Sequence, residues 1–450
     1  MKYLGMWAAA GLTSIASAEL PHHLDLIVAS RFYGSLIAVD RSTGMIRSIV
    51  TGTDVRDLSL PVRGSGTALN GAQSGDIGIS RDGRIFWKLA PTTSTYGTYQ
   101  VDPVSGNRSG LFGSGAAAHD STGTPIVWNA KTLLLAADGF NAGSSGNARV
   151  LRYGLPAGPT TILSGDLVGD GPRTFRARYM AAADATTVFV AETGTLGGVT
   201  NNPGIFRIDL QSGARTFISR LGKDTLNRKT VTGGVLSAGT TPLTRGTGPV
   251  INGQVRSLLF RQGKLYIGAS SQKPDLSFVY CIIEVNPATG NRTLVVGTAL
   301  VDDGTGTNFV SQAASNAGAP PFDSPSGMLE LPDSSIAFTS LFSYNTILRL
   351  MPETRELTML ADLGPQIATA ARGNMQLTSM AVFSNCDGDL NLDGFVDDAD
   401  FSLFVAGYDL LDCADPAMKP PCAPDINGDL FVDDADFSRF VVRYDALVCE

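Results

Sequence analysis

The chain reads as a mainly β protein: a six-bladed β-propeller closed by strands from both termini, followed by a small α-helical metal-binding module. Three observations predict this. A short turn signature recurs six times between β-rich runs, one β-rich segment at each end of that region lacks a local partner, and the last 65 residues carry one acidic loop-and-helix sentence twice.

Met1–Ala18 has a lone Lys2, an apolar stretch through Ile15 and the small-residue run Ala16-Ser17-Ala18, which reads as an export signal with the mature chain starting near Glu19. No later stretch of 18 or more apolar residues follows, so no membrane span is expected. The expected location is periplasmic, cell-surface or extracellular. The expected division is residues 1–18 signal, 19–384 propeller and 385–450 metal module.

The repeated turn begins at Val39-Asp40, Val101-Asp102, Ile208-Asp209 and Val285-Asn286, and closes on Gly44, Gly106, Gly213 and Gly290. Asp or Asn opens such a turn by accepting from the backbone ahead, and Gly takes the φ > 0 position. Degenerate copies around Gly158 and Arg355 complete six. Upstream of each later copy lies another hairpin, as in SGDIGISRDGRIFWKLA and VRSLLFRQGKLYIGASS, so each unit offers about four strands. The first unit, LDLIVASRFYGSLIAVD, lacks its opening strand, and Leu377–Phe383 is the missing piece. Such closure removes the exposed sheet edges of an open array. A seventh blade or a sandwich array is the alternative. In blade pattern the region resembles the broad NHL and SMP-30-like propeller group.

Five connections between units contain Gly-x-Gly, at Gly64, Gly113, Gly169, Gly246 and Gly304. These connections are expected on one face around the channel, the longest spanning 217–253 and 296–325. There, with Arg63, Arg245, Asp302 and Asp303, they offer a cradle for an unknown ligand, carbohydrate or peptide. The plainer reading, turn chemistry, carries more weight.

In the tail, the segments from Asp389 and Asp425 repeat at a spacing of 36. Each places oxygens at loop positions one, three, five, seven, nine and twelve: Asp389, Asn391, Asp393, the Phe395 carbonyl, Asp397 and Asp400, then Asp425, Asn427, Asp429, the Phe431 carbonyl, Asp433 and Asp436. A hard cation takes six to eight oxygens, and alternate residues of a tight loop converge on one point. Two Ca2+ ions are therefore expected. Each loop runs into a helix with apolar residues at helical spacing, Phe401, Phe404, Val405, Tyr408 and Leu411, then Phe437, Phe440, Val441, Tyr444 and Val448. The plain alternative is an acidic solvated tail.

Loop followed by helix, twice, resembles the dockerin type I repeat, a paired EF-hand-like module, over roughly residues 386–450. The resemblance implies calcium-dependent protein–protein anchoring, with a cohesin-like or other envelope or secreted protein as partner. Position six is Gly394 in the first loop but Leu430 in the second, where a left-handed backbone costs about 1 kcal/mol and weakens the site. Cellulosomal dockerins use a Ser/Thr pair late in the loop to recognise cohesin. Here those positions are Asp398-Ala399 and Asp434-Ala435, which puts an ordinary cohesin in question.

Cys386, Cys413, Cys422 and Cys449 bracket the two units. Pairing within units, Cys386 with Cys413 and Cys422 with Cys449, follows the repeat best; crossed pairing, Cys386 with Cys449 and Cys413 with Cys422, would clamp the units together. Cys281, in SFVYCIIEV, reads as a buried free thiol.

The chain carries 42 acidic and 34 basic residues, a balance of −8. From Cys386 onward there are 16 acids against Lys419, Arg439 and Arg443, which is −13 and leaves +5 for the rest. With no basic run, nucleic acid is not an expected partner. No catalytic motif is identifiable. His119-Asp120 is a lone loop pair, and Glu192 and Glu330 lie near strand ends facing the expected channel. The expected function is a secreted binding protein anchored by its tail. The alternative is a carbohydrate-active, lactonase-like or lyase-like propeller enzyme, delivered by that tail for polysaccharide catabolism.

Overall fold

A computed structural model describes residues 21–447 apart from 31–33, 52–61, 67–72, 81–82, 93–94, 113–122, 138–147, 156–157, 159, 166–167, 175–176, 194–202, 304–306, 342–343, 367–375, 416 and 419–421. The expected export signal, His119-Asp120, the Gly113 and Gly304 loops and Cys449 lie outside these residues.

Among the described residues, six antiparallel sheets of at least four strands follow in chain order. The first joins Leu377–Val382, Leu26–Ser30, Ser35–Val39 and Ile46–Thr51, with Val62–Arg63 added in parallel. The second runs Gln73–Ile79, Ile85–Thr92, Thr95–Val101 and Arg108–Phe112; the third Pro125–Asn129, Thr132–Ala137, Arg149–Gly154 and Thr160–Ser164. The fourth is Ala177–Asp184, Thr187–Glu192, Gly204–Asp209 and Arg215–Arg220. The fifth is Val255–Arg261, Lys264–Gln272, Phe278–Val285 and Arg292–Leu300, extended by Phe309–Gln312. The sixth is Pro325–Glu330, Ile336–Ser340, Thr346–Met351 and Glu356–Asp362.

The leading strands of these sheets touch one another cyclically, the sixth meeting Leu377–Val382 and that strand meeting Gln73–Ile79. This closed ring of radial sheets is a propeller arrangement. Closure is antiparallel, with Leu26 opposite Val382 and Val28 opposite Met380, so the segment without a local partner at each end of the sequence completes the other.

Burial explains why these strands show little polar alternation. Each sheet is covered on both faces by its neighbours. In the first, Leu26 and Val28 pack towards Ala337 and Ile347 of the sixth, whereas Ile27 and Ala29 pack towards Ile77, Trp87 and Tyr99 of the second. Apolar clusters of the same kind fill the other four interfaces.

The turn signature behaves as its chemistry requires. Asp40, Asp209 and Asn286 each accept from two backbone amides ahead, and Gly44, Gly106, Gly213 and Gly290 take φ between +69° and +78°. In the degenerate sixth copy Arg355 adopts φ +62° without a glycine.

The Gly-x-Gly segments sit elsewhere than expected. Gly64, Gly169 and Gly246 pack on the carbonyls of Gly106, Gly213 and Gly290, against the outer turn of the next sheet and away from the channel. A Cβ at any of the three would meet backbone at about 2 Å. The arginine that opens the fourth strand completes a clasp. Arg215 donates to the carbonyls of Gly165, Val168, Gly169 and Pro172, and Arg292 to those of Arg220, Gly248 and Pro249. Arg245 donates to Phe217 and Ala288 carbonyls, and Asp302 is paired with Arg220 and Arg292. These groups join blades; they do not form a cradle.

The tail holds two helices, α1 (Asp398–Tyr408) and α2 (Asp434–Ala446). Asp397 and Asp433 cap them, accepting from Ala399 and Ala435, while Asp400 and Asp436 return the capping box. Phe404 and Phe440, equivalent by the repeat, are buried and stack at 5.1 Å between ring centres. Phe401 and Phe437 are 41% exposed at the rim.

Candidate metal centre

Loop one begins where the closing strand ends. Carboxylate oxygens of Asp389, Asp393 and Asp400 lie within 4.8 Å of one another, and so do those of Asp425, Asp429 and Asp436 in loop two. Loop amides aim these groups inward. Asp400 accepts from the amides of Leu390 (2.6 Å), Asn391 (2.9 Å) and Asp397 (3.0 Å), and Asp389 from those of Asp393 (3.1 Å) and Gly394 (2.9 Å). Asn391 accepts from the Asp393 amide and donates to its side chain. Loop two repeats this, with Asn427 on Asp436 and Leu430 on Asp425.

Asp389, Asp400 and Asp436 are fully buried. Burial pushes the Asp400 carboxyl above the ordinary carboxylate range, with the neighbouring Asp389 adding to the rise; burial and Asp436 do the same to Asp425. Converging carboxylates withdrawn from water need a compensating positive charge. An all-oxygen donor set held by backbone amides fits a hard divalent cation. These two acidic clusters can hold metal ions.

The expected ligands divide accordingly. Asp389, Asp393, Asp400 and their counterparts converge, with Asn391 and Asn427 hydrogen-bonded to the position-five carboxylates. Phe395 and Phe431 have exposed side chains, as suits positions that offer only a carbonyl. Asp397 and Asp433 fall outside the clusters of three and serve as caps. Gly394 takes φ +104°, and Leu430 is held at +85° in the same left-handed region.

The units are related by an approximate twofold. Val396 donates to the Leu447 carbonyl at the end of α2, and Val432 to the Leu411 carbonyl after α1. Tyr408 donates to Asp434 (2.6 Å) and Tyr444 to Asp398 (2.5 Å). The two loop-end aspartates are thus each engaged by the opposite unit.

This exchange corrects the preferred cysteine pairing. Each loop borders the end of the other unit's helix, so Cys413 bonds Cys422 with a Cα separation of 5.6 Å. Cys386 is also disulfide-bonded, and Cys281 is a buried free thiol.

The loops face the propeller. His23 Nε2 lies 2.6 Å from Asp389 Oδ2, Arg41 donates to the Leu392 carbonyl (3.5 Å) and Lys131 to that of Asp429 (3.3 Å). A cleft of about 640 Å³ runs between Arg84, Asn129 and Lys131 on one side and Asp425, Asn427 and Arg439 on the other. All these propeller residues lie where first strands end or third turns form, at one end of the sheets. Sequence reasoning did not single out His23; a ring closed at that point is the signal that finds it.

The two carboxylates singled out near strand ends do not form an acid pair. Glu192 is buried against Arg228 (2.8 Å), and Glu330 meets Arg261 (3.1 Å) at the opposite end of its sheet.

Fold and site together define a β-propeller with a docked pair of acidic loop-helix units. No family model matches the chain, and no curated protein matches it. Among solved structures it is similar to a protein of unknown function from Bacteroides caccae, at 10% identity over 80% of this chain and 99% of that one, TM-score 0.44. It is also similar to TolB from Acinetobacter baumannii (13%, 83% and 69%, TM-score 0.41) and to an oligogalacturonate lyase from Vibrio parahaemolyticus (12%, 77% and 80%, TM-score 0.33). Such distant matches bear on neither ligand nor reaction.

Proposed function

We propose that this chain is an exported binding protein whose dockerin-like tail takes two calcium ions and then mediates anchoring or assembly of the propeller with a protein partner. The observation that carries the reading is the identical convergence of three carboxylates in each loop, repeated with its capping helix. Without metal, Asp389, Asp393 and Asp400 repel one another in a site withdrawn from water; calcium removes that repulsion and ties each loop to its helix. At a hundredfold excess over its dissociation constant, each ion stabilises the tail by about 2.7 kcal/mol. The partner surface lies on the outer faces of α1 and α2, where Phe401, Leu403, Phe437 and Val442 are exposed. Asp398 and Asp434 are occupied by tyrosines, which argues for a partner other than an ordinary cohesin.

Two measurements test this. Calorimetric melting with calcium and with chelator is expected to shift a tail transition and leave the propeller in place; a single transition indifferent to chelator would refute it. A pull-down from envelope and secreted fractions, comparing the full chain with a truncation after Ser384, is expected to recover a partner that needs both tail and calcium. Equal recovery by the truncation would move the function to the propeller.

A further inference from the structure

We propose that His23 is a positioning residue for the first metal loop, orienting Asp389 from the propeller side of the boundary. The inference rests on the calcium reading of that loop. His23 belongs to the segment that leads into Leu26–Ser30, the strand paired with the closing strand, so ring closure itself brings it to Asn385 and Asp389. Its side chain is 4% exposed and that of Asp389 is fully buried. The Asn385 amide donates to His23 Nδ1 at 3.3 Å, which makes Nδ1 the acceptor and leaves Nε2–H to donate to Asp389 Oδ2 at 2.6 Å.

The first ligands of the two loops share two amide donors and differ in the rest, Asp425 accepting additionally from the Gly428 amide at 2.8 Å. Asp389 and Asp425 accept equivalent amides, from Asp393 and Gly394 in one case and Asp429 and Leu430 in the other. Asp389 also receives the histidine. At Asp425 the neighbour is Cys413 Sγ, 3.6 Å away, a disulfide sulfur with no proton to give. A carboxylate that gives one oxygen to a metal is fixed by what holds the other, and outer partners of this kind change metal affinity about ten- to a hundredfold. Loop two therefore serves as an internal control within the same chain.

The test is a two-step calcium titration by calorimetry on the full exported chain and three variants. Asp425→Asn assigns the second-loop step. His23→Phe keeps the ring volume and removes the donor; His23→Gln keeps an N–H donor at similar reach. The expected result is that His23→Phe weakens the loop-one step about tenfold or more, leaves the loop-two step unchanged, and that His23→Gln restores most of the loss. Unchanged binding in His23→Phe, or equal loss in both His23 variants, would overturn the positioning role while leaving calcium binding intact. No calcium uptake by the unaltered chain would instead overturn the calcium reading, and this inference with it.

Discussion

Replacing Asp76 with Asn is expected to stabilise the propeller at neutral pH and to leave it unchanged in acid. Asp76 lies on the leading strand of the second sheet, 7% exposed, and accepts from Thr124 Oγ1 at 2.6 Å across to the third sheet. Burial pushes its carboxyl up to about 6 from an ordinary 3.8, against the opposing effects of Thr124, Arg178 and Lys88. The native state therefore favours the protonated acid. Its contribution is fully present below about pH 4 and is lost as pH rises through 6, and the difference of roughly two pH units corresponds to about 3 kcal/mol. Asparagine is neutral throughout and still offers Thr124 an oxygen. Trp87 and Trp128 are both buried, in the second and third sheets, and the described tail has no tryptophan, so fluorescence follows the relevant region. Denaturant midpoints at pH 4 and pH 7.5 would separate the cases. A gain at pH 7.5 that disappears at pH 4 is expected. Equal effects at both pH values would refute the burial argument, and a loss at pH 7.5 would mean that the basic neighbours more than offset the cost of burying the ionised Asp76.

Two further outcomes follow from the packing. Arg292→Lys keeps the charge but loses the planar fork that reaches Arg220, Gly248 and Pro249, and is expected to cost about 3 kcal/mol by leaving buried carbonyls unmet; a melting midpoint within one degree of the parent would contradict the clasp. Non-reducing peptide mapping is expected to recover Cys413 joined to Cys422, and Cys413→Ser to destabilise the tail by about 2.5 kcal/mol, given a loop closed over nine residues; a Cys386–Cys413 peptide would restore the within-unit pairing.

What the sequence made legible is local. Asp40 and Gly44 announce their turn because the acceptor, the left-handed residue and the flanking apolar runs are contiguous, and the spacing of Asp389, Asp393 and Asp400 announces convergence for the same reason. The Leu430 backbone was legible by comparison with Gly394. What escaped depended on distance. The Gly-x-Gly loops look alike whether they line a channel or grip an arginine, and only the carbonyls around Arg215 decide between these. Cysteine spacing describes the repeat but not the exchange between its halves, so Cys413–Cys422 needed the twofold to become visible. His23 gains meaning only from a neighbour brought to it by closure.

That closure has a consequence for how the protein is made. Leu26–Ser30 is synthesised ahead of the other described propeller strands, and its inner partner Leu377–Val382 after all of them. At roughly 5–20 residues per second the first sheet waits on the order of half a minute with one edge bare. During that interval it is a template for any passing strand. Vectorial folding can stack the later sheets in turn, but the barrel of contacts becomes whole only in one late event, which also delivers the tail to its seat. A nascent chain stopped before residue 377 would thus be missing more than its last element; it would carry an open seam, and quality control could recognise it by that seam.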